Sequence, residues 1–137
     1  LSIVLITFLT RGRKNRVLFN RDMYRMYSEL KSLINHVHES IDNRRIMMLL
    51  EKSIKLNEAL VNAKYEFSST KKYYEYKKIL ILIDELLINL RTYRTLFMQQ
   101  KKHDDSLYKE FVHFTKEQIQ SNFKKITIRY DRLLAQK

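Results

Sequence analysis

The chain has 137 residues, one glycine, no proline and no cysteine, and 45% of its residues are hydrophobic. A globule of this length forms one domain and buries roughly 68–70% of the surface its unfolded chain would expose. The scarcity of glycine and proline excludes a fold built on hairpins and tight β-turns. The lack of cysteine excludes disulfides, thiolate zinc sites and iron–sulfur clusters, and is compatible with a reducing cytoplasm. Lysine and arginine total 27 against 15 acidic residues, for a formal charge of +12 and a sequence pI near 9.9. That balance is expected of a polyanion binder. A coding bias toward lysine would raise the charge without a functional reason, but the arginines argue against it, because such a bias does not favour them.

Residues 1–10 read LSIVLITFLT and residues 11–16 read RGRKNR, an apolar decapeptide followed by a basic run. Ten residues fall short of the ~20 that cross a bilayer, and a signal peptide carries its charges before the apolar run. Residues 1–19 are expected to lie outside the folded core. They read first as a start that is not native, then as a segment docking on a partner, and last as a membrane-surface anchor, so a membrane is not an expected partner.

From Asn20 to residue 137 the period is helical. Asn20 can cap a helix near 20–39 whose stripe is Met23, Met26, Tyr27, Leu30, Leu33, Ile34 and Val37. Asp42 caps the next helix, with Ile41 and Ile46 spaced as a hydrophobic staple, and Leu49, Leu56, Leu60 and Phe67 face inward. Ser68, Ser69 and Thr70 break the pattern. A long third helix runs to about Gln100, carrying Tyr76, Ile79, Leu80, Ile83, Leu86, Leu87, Leu90 and Phe97 on one face. After a loop at 101–105, Asp104 or Asp105 caps a fourth helix lined by Leu107, Tyr108, Phe111, Val112, Ile119, Phe123, Ile126 and Tyr130. Four amphipathic helices with short connections predict an all-α, antiparallel up-down four-helix bundle.

At about 100° per residue, Arg94 falls near the centre of the core stripe of the third helix. Ser53, Asn57 and Lys64 on the second helix are placed to share hydrogen bonds near it. The same projection puts Ile81 and Ile88 opposite the core, with Thr95 and Tyr74, and sets Met47, Ile54 and Val61 off-core on the second helix. A bundle helix that is apolar on two sides needs two partners, so self-association or a protein interface is expected there.

Basic residues cluster in three places. Arg11, Arg13, Lys14 and Arg16 form the first cluster, and Lys64, Lys71, Lys72, Lys77 and Lys78 the second. Lys116, Lys124, Lys125, Arg129 and Arg132 line the last helix. Tyr65, Tyr73 and Tyr74, interleaved with the second cluster, suit stacking on unpaired bases beside phosphate contacts to RNA or DNA. No zinc finger, KH loop or RNP aromatic pair is present, so binding is expected to be led by the backbone and to weaken with salt.

Catalytic readings are poorer. Glu110 and His113 form a single Glu-x-x-His where a di-iron bundle needs two plus further carboxylates. His36 and His38 fall on different helix faces. Asp84 and Glu85 point in different directions and read as solvated or paired with Arg91, not as a general acid–base pair. No enzymatic activity, metal or cofactor is expected.

The stretch from about Tyr24 to Tyr130 resembles the four-helix-bundle family that includes the accessory variability determinant (Avd) of diversity-generating retroelements and the proteins of 23S rRNA intervening sequences. The likeness rests on NEALVNAKY at 57–65, a polar break, LLINLRTYRTL at 86–96, and LYKEFVHFTKEQIQSNFKKI at 107–126. Arg91 and Arg94 fall where that family tends to carry arginine late in its third helix. The resemblance implies a basic homo-oligomer, a pentameric barrel, that associates with a reverse transcriptase and its template RNA, supports mutagenic cDNA synthesis, and has no active site of its own.

Overall fold

The computed structural model describes residues 2–36, 42–102 and 106–136, with side chains from residue 14 onward. The described residues contain four α-helices and no strand: α1 (Ser2–Asn35), α2 (Asn43–Asn62), α3 (Thr70–Lys102) and α4 (Ser106–Ala135). A 3₁₀ turn, Lys64–Glu66, follows α2. Contacts across the molecule fix the topology. Glu29 meets Lys52, Ser53 meets Asp84, and Glu75 meets Arg129, so each helix runs antiparallel to the next. Tyr27 on α1 closes the ring against α4, its Oη donating to Thr127 Oγ1 at 3.1 Å and its ring stacking on Phe123.

The core is the expected set of stripes with informative additions. Met23, Met26, Leu30, Leu33, Ile46, Leu49, Leu56, Leu60, Ile79, Leu80, Ile83, Leu86, Leu87, Leu90, Ile119, Ile126 and Tyr130 are all buried. Asp42 does cap α2, its carboxylate accepting from the Arg44 N–H at 3.0 Å. Ser69 serves α3 in the same way, accepting from the Lys72 N–H at 3.3 Å. Each satisfies a backbone donor that the first turn of a helix leaves without a partner. Ile41, Val37, Asp104 and Asp105 lie outside the described residues.

Three expectations are corrected. Asn20 is not a cap, because α1 begins at Ser2 and Asn20 sits in its interior. The boundary at residue 19 moves with it: Phe19 is 0% exposed and packs edge-on against Phe67 and Tyr76, with ring centroids 5.9 and 5.0 Å away. Phe67 reaches that cluster from beyond the 3₁₀ turn, since α2 ends at Asn62.

The N-terminal part of α4 is the third correction. Leu107 and Phe111, expected inside, are exposed, as is Phe114. The Ser53–Asp84 pairing sets the start of α2 level with about residue 94 of α3. With Glu75 opposite Arg129 that level is about residue 110 of α4, so Leu107 lies past the start of α2, whereas Phe111 and Phe114 are turned away from the line of Thr115, Ile119 and Asn122 that faces the core. Farther along α4 the core positions are Thr115, Ile119, Asn122, Ile126, Tyr130 and Leu133.

Candidate nucleic-acid interface

A concentration of accessible charge lies along the seam between α3 and α4. Lys78, Ile81 and Leu82 of α3 face Lys125 and Arg129 of α4 across a shallow groove with cations on its rim and aliphatic carbon on its floor. Helical spacing produces this arrangement. Lys71 and Lys78 are seven residues apart on α3, as are Lys125 and Arg132 on α4, so each pair stacks on one side of its helix two turns apart. Antiparallel pairing then brings the two ladders together. Glu75 stands between them, 3.5 Å from the Lys78 ammonium and 3.4 Å from the Arg129 guanidinium. It orients both groups at the groove edge while leaving them half in water. Lys71, Lys124, Lys125 and Arg132 are exposed.

The remaining basic residues are distributed differently. Lys77 is exposed on the α2 side of α3. Lys14 is exposed, whereas Arg16 is half-buried, with its guanidinium donating to the Glu66 carbonyl at 3.1 Å and its backbone N–H to the Glu66 carboxylate at 3.0 Å. Lys72 donates to the Gln136 carbonyl at 3.2 Å, which ties the start of α3 to the end of α4. The Lys64 ammonium lies over the rings of Tyr65 and Tyr73 at 5.6 and 5.4 Å, a cation–π arrangement. The side chains of Arg11 and Arg13 are outside the described set.

The tyrosines separate by burial. Tyr65 is 92% exposed and Tyr74 half exposed, so both offer a ring face to a ligand. Tyr73 is buried and is removed from the stacking set; it contacts the edge of Tyr74 at 5.2 Å. Burial also raises the phenol pKa values of Tyr76, Tyr93 and Tyr130, the last further raised by its neighbouring phenols.

Arg94 is half-buried and engaged, while Tyr93 takes the deeper position and stacks on Phe97 at 5.9 Å. Arg91 is exposed. Ser53 does not serve the arginine: its hydroxyl donates to the Asp84 carboxylate, and Asn57 donates to the Ser53 carbonyl at 2.9 Å. Asp84 is thus half-buried and held by Ser53, not by Arg91, and periodicity had no means of finding this cross-helix partner. His113 pairs with Glu117 at 3.0 Å. Among the described residues no group of three His, Cys, Asp or Glu side chains could hold a metal.

A second surface is apolar. Ile54 (62% exposed) and Val61 on α2, and Ile81 (60% exposed) and Ile88 on α3, stand on the flanks of the α2–α3 seam, with Met47. In the register set by Ser53 and Asp84 they alternate along the seam as Met47, Ile88, Ile54, Ile81 and Val61. Ile81 borders both this ladder and the basic groove. Among the described residues no helix is long and apolar enough to cross a membrane. Comparison with protein-family models, with curated proteins and with solved structures gave no match.

Proposed function

We propose that this protein is a non-enzymatic, cytoplasmic nucleic-acid-binding subunit, similar in role to the Avd accessory proteins that work beside a retroelement reverse transcriptase and its template RNA. The observation that carries the reading is the α3–α4 groove, where Lys78, Lys125 and Arg129 converge over Ile81 and Leu82 in a chain of net charge +12. Cations of this kind engage phosphates and displace counterions, and the exposed ring of Tyr74, one turn before Lys78 on α3, suits unpaired bases. The exposed α2–α3 ladder supports a second element of the proposal, self-association, with a pentamer as the form the resemblance implies.

The test is binding of labelled structured RNA, single-stranded DNA and duplex DNA across a salt series, with light scattering for the mass of the same sample. Micromolar or tighter binding is expected. The triple substitution Lys78→Gln, Lys125→Gln and Arg129→Gln should flatten the log–log salt dependence by about 2, from roughly 0.7 per lost contact on a single strand. Absence of binding near physiological salt would defeat the proposal. The ladder would then favour an adaptor bundle that binds another protein through Ile54, Val61, Ile81 and Ile88.

A further inference from the structure

Four parts of the chain meet at one end of the bundle. Arg16 on α1 binds Glu66 in the 3₁₀ turn, and Lys72 at the start of α3 binds Gln136 after α4. Lys14, Arg16, Lys64, Lys71, Lys72 and Arg132 therefore lie toward this end, and the described carboxylates nearest them are Glu66, engaged by Arg16, Glu75, engaged by Lys78 and Arg129, and Asp131. Tyr65, the most exposed aromatic among the described residues, projects here as well. Out of this basic end α1 continues for twelve more residues, from residue 13 back to Ser2, roughly 18 Å at 1.5 Å per residue.

The sequence of that extension is SIVLITFLTRGR. Stepped at about 100° per residue, Ile3, Val4, Leu5, Ile6, Phe8 and Leu9 spread around the whole wheel instead of forming a stripe. A helix apolar all round needs apolar surroundings on every side. One groove on a partner would cover a single face, whereas lipid covers all of them. Arg11, Arg13 and Lys14 follow immediately, at the level where phosphate headgroups would lie, with the basic end of the bundle behind them. An apolar insertion together with a basic patch supplies the two signals that stable membrane attachment requires.

We propose that the N-terminal turns of α1 insert into an anionic phospholipid bilayer and that the basic end of the bundle rests on its headgroups. Composition alone ranks this docking last. The continuity of α1 with the apolar segment and the gathering of cations where it emerges are what favour it. The α3–α4 groove lies on the side of the bundle, so the inference does not depend on the nucleic-acid reading.

The test is flotation of the full, nuclease-treated chain with phosphatidylcholine vesicles, with and without phosphatidylserine. Binding is expected mainly to the phosphatidylserine vesicles. Leu5→Asp with Phe8→Asp should lower it at least tenfold while far-ultraviolet circular dichroism and the unfolding midpoint of the bundle stay unchanged. Replacing Arg11, Arg13 and Lys14 by Gln should lower it on the order of 100-fold, from roughly fivefold per charge. The chain has no tryptophan, so Phe8→Trp gives a single reporter whose emission should shift to the blue on anionic vesicles. Equal binding by the Leu5→Asp, Phe8→Asp protein, an unshifted indole emission from the Phe8→Trp protein, or binding to nucleic acid with none to vesicles would each overturn the proposal.

Discussion

Phe19→Ala is the most direct probe of where the folded core begins. Phe19 is fully buried, with edge-on contacts to Phe67 and Tyr76 that join α1, the α2–α3 connection and α3. Truncating a buried phenylalanine costs about 3–5 kcal/mol, because the lost transfer energy is compounded by a cavity, and each aromatic pair contributes about 0.5–1.5 kcal/mol of that total. A loss near 4 kcal/mol is a large share of the ~5–15 kcal/mol typical of a domain. With a urea slope of about 2 kcal/mol/M, the midpoint should fall by about 2 M at unchanged slope. Chemical denaturation followed by circular dichroism measures this, with exposed Val17→Ala as the control, expected within about 0.5 kcal/mol of the parent. A double-mutant cycle with Phe67→Ala should return a coupling of about 1 kcal/mol. A cost below about 1 kcal/mol for Phe19→Ala would refute the placement and return residues 1–19 to the outside of the fold.

Three other outcomes follow from the interior. Asn122 is 5% exposed and its Nδ2 has no hydrogen-bond partner among the described residues, so Asn122→Leu should stabilise the protein by about 1–2 kcal/mol, measured by the same denaturation; a lower midpoint would show that the amide is satisfied. Ser53→Ala removes the donor to half-buried Asp84 and should cost about 1–3 kcal/mol, whereas Ser53→Ala with Asp84→Ala should recover most of that; equal losses in both would mean the pair does not act as a unit. Burial raises the pKa of the Tyr76, Tyr93 and Tyr130 phenols in the folded state above the unfolded value. Their contribution to stability is therefore complete below about pH 10 and declines as pH rises above it, because the unfolded chain loses those protons first. Absorbance titration at alkaline pH should show the phenols of Tyr76, Tyr93 and Tyr130 ionising above the ordinary tyrosine range while the chain stays folded, and their ionisation at the ordinary value would contradict their burial.

What the sequence made legible was whatever depends on one helix alone. The stripe from Tyr76 to Leu90 repeats for four turns and needed no neighbour to be read. Asp42 announced its cap by chemistry acting within three residues. What stayed hidden depends on how far one helix extends beside another. Periodicity assigned Leu107 a face but could not show that α2 begins too late to cover it. Phe19 looked peripheral because its partner Phe67 arrives from 48 residues away. The candidate groove has the same origin. Lys78, Lys125 and Arg129 were each visible as charges on a helical face, but their convergence depends on the register of α3 against α4, in which Glu75 pairs with Lys78 on its own helix and with Arg129 across the seam. Those pairs are partly exposed and add little stability. Their consequence is positional: a carboxylate between two basic ladders keeps the cations at the edge of an aliphatic floor, where a phosphate can replace Glu75 as their partner. Glu75→Gln should therefore strengthen binding of single-stranded nucleic acid while leaving the unfolding midpoint within about 0.5 kcal/mol of the parent. Weaker binding from that substitution would mean that Glu75 organises the groove more than it competes for it.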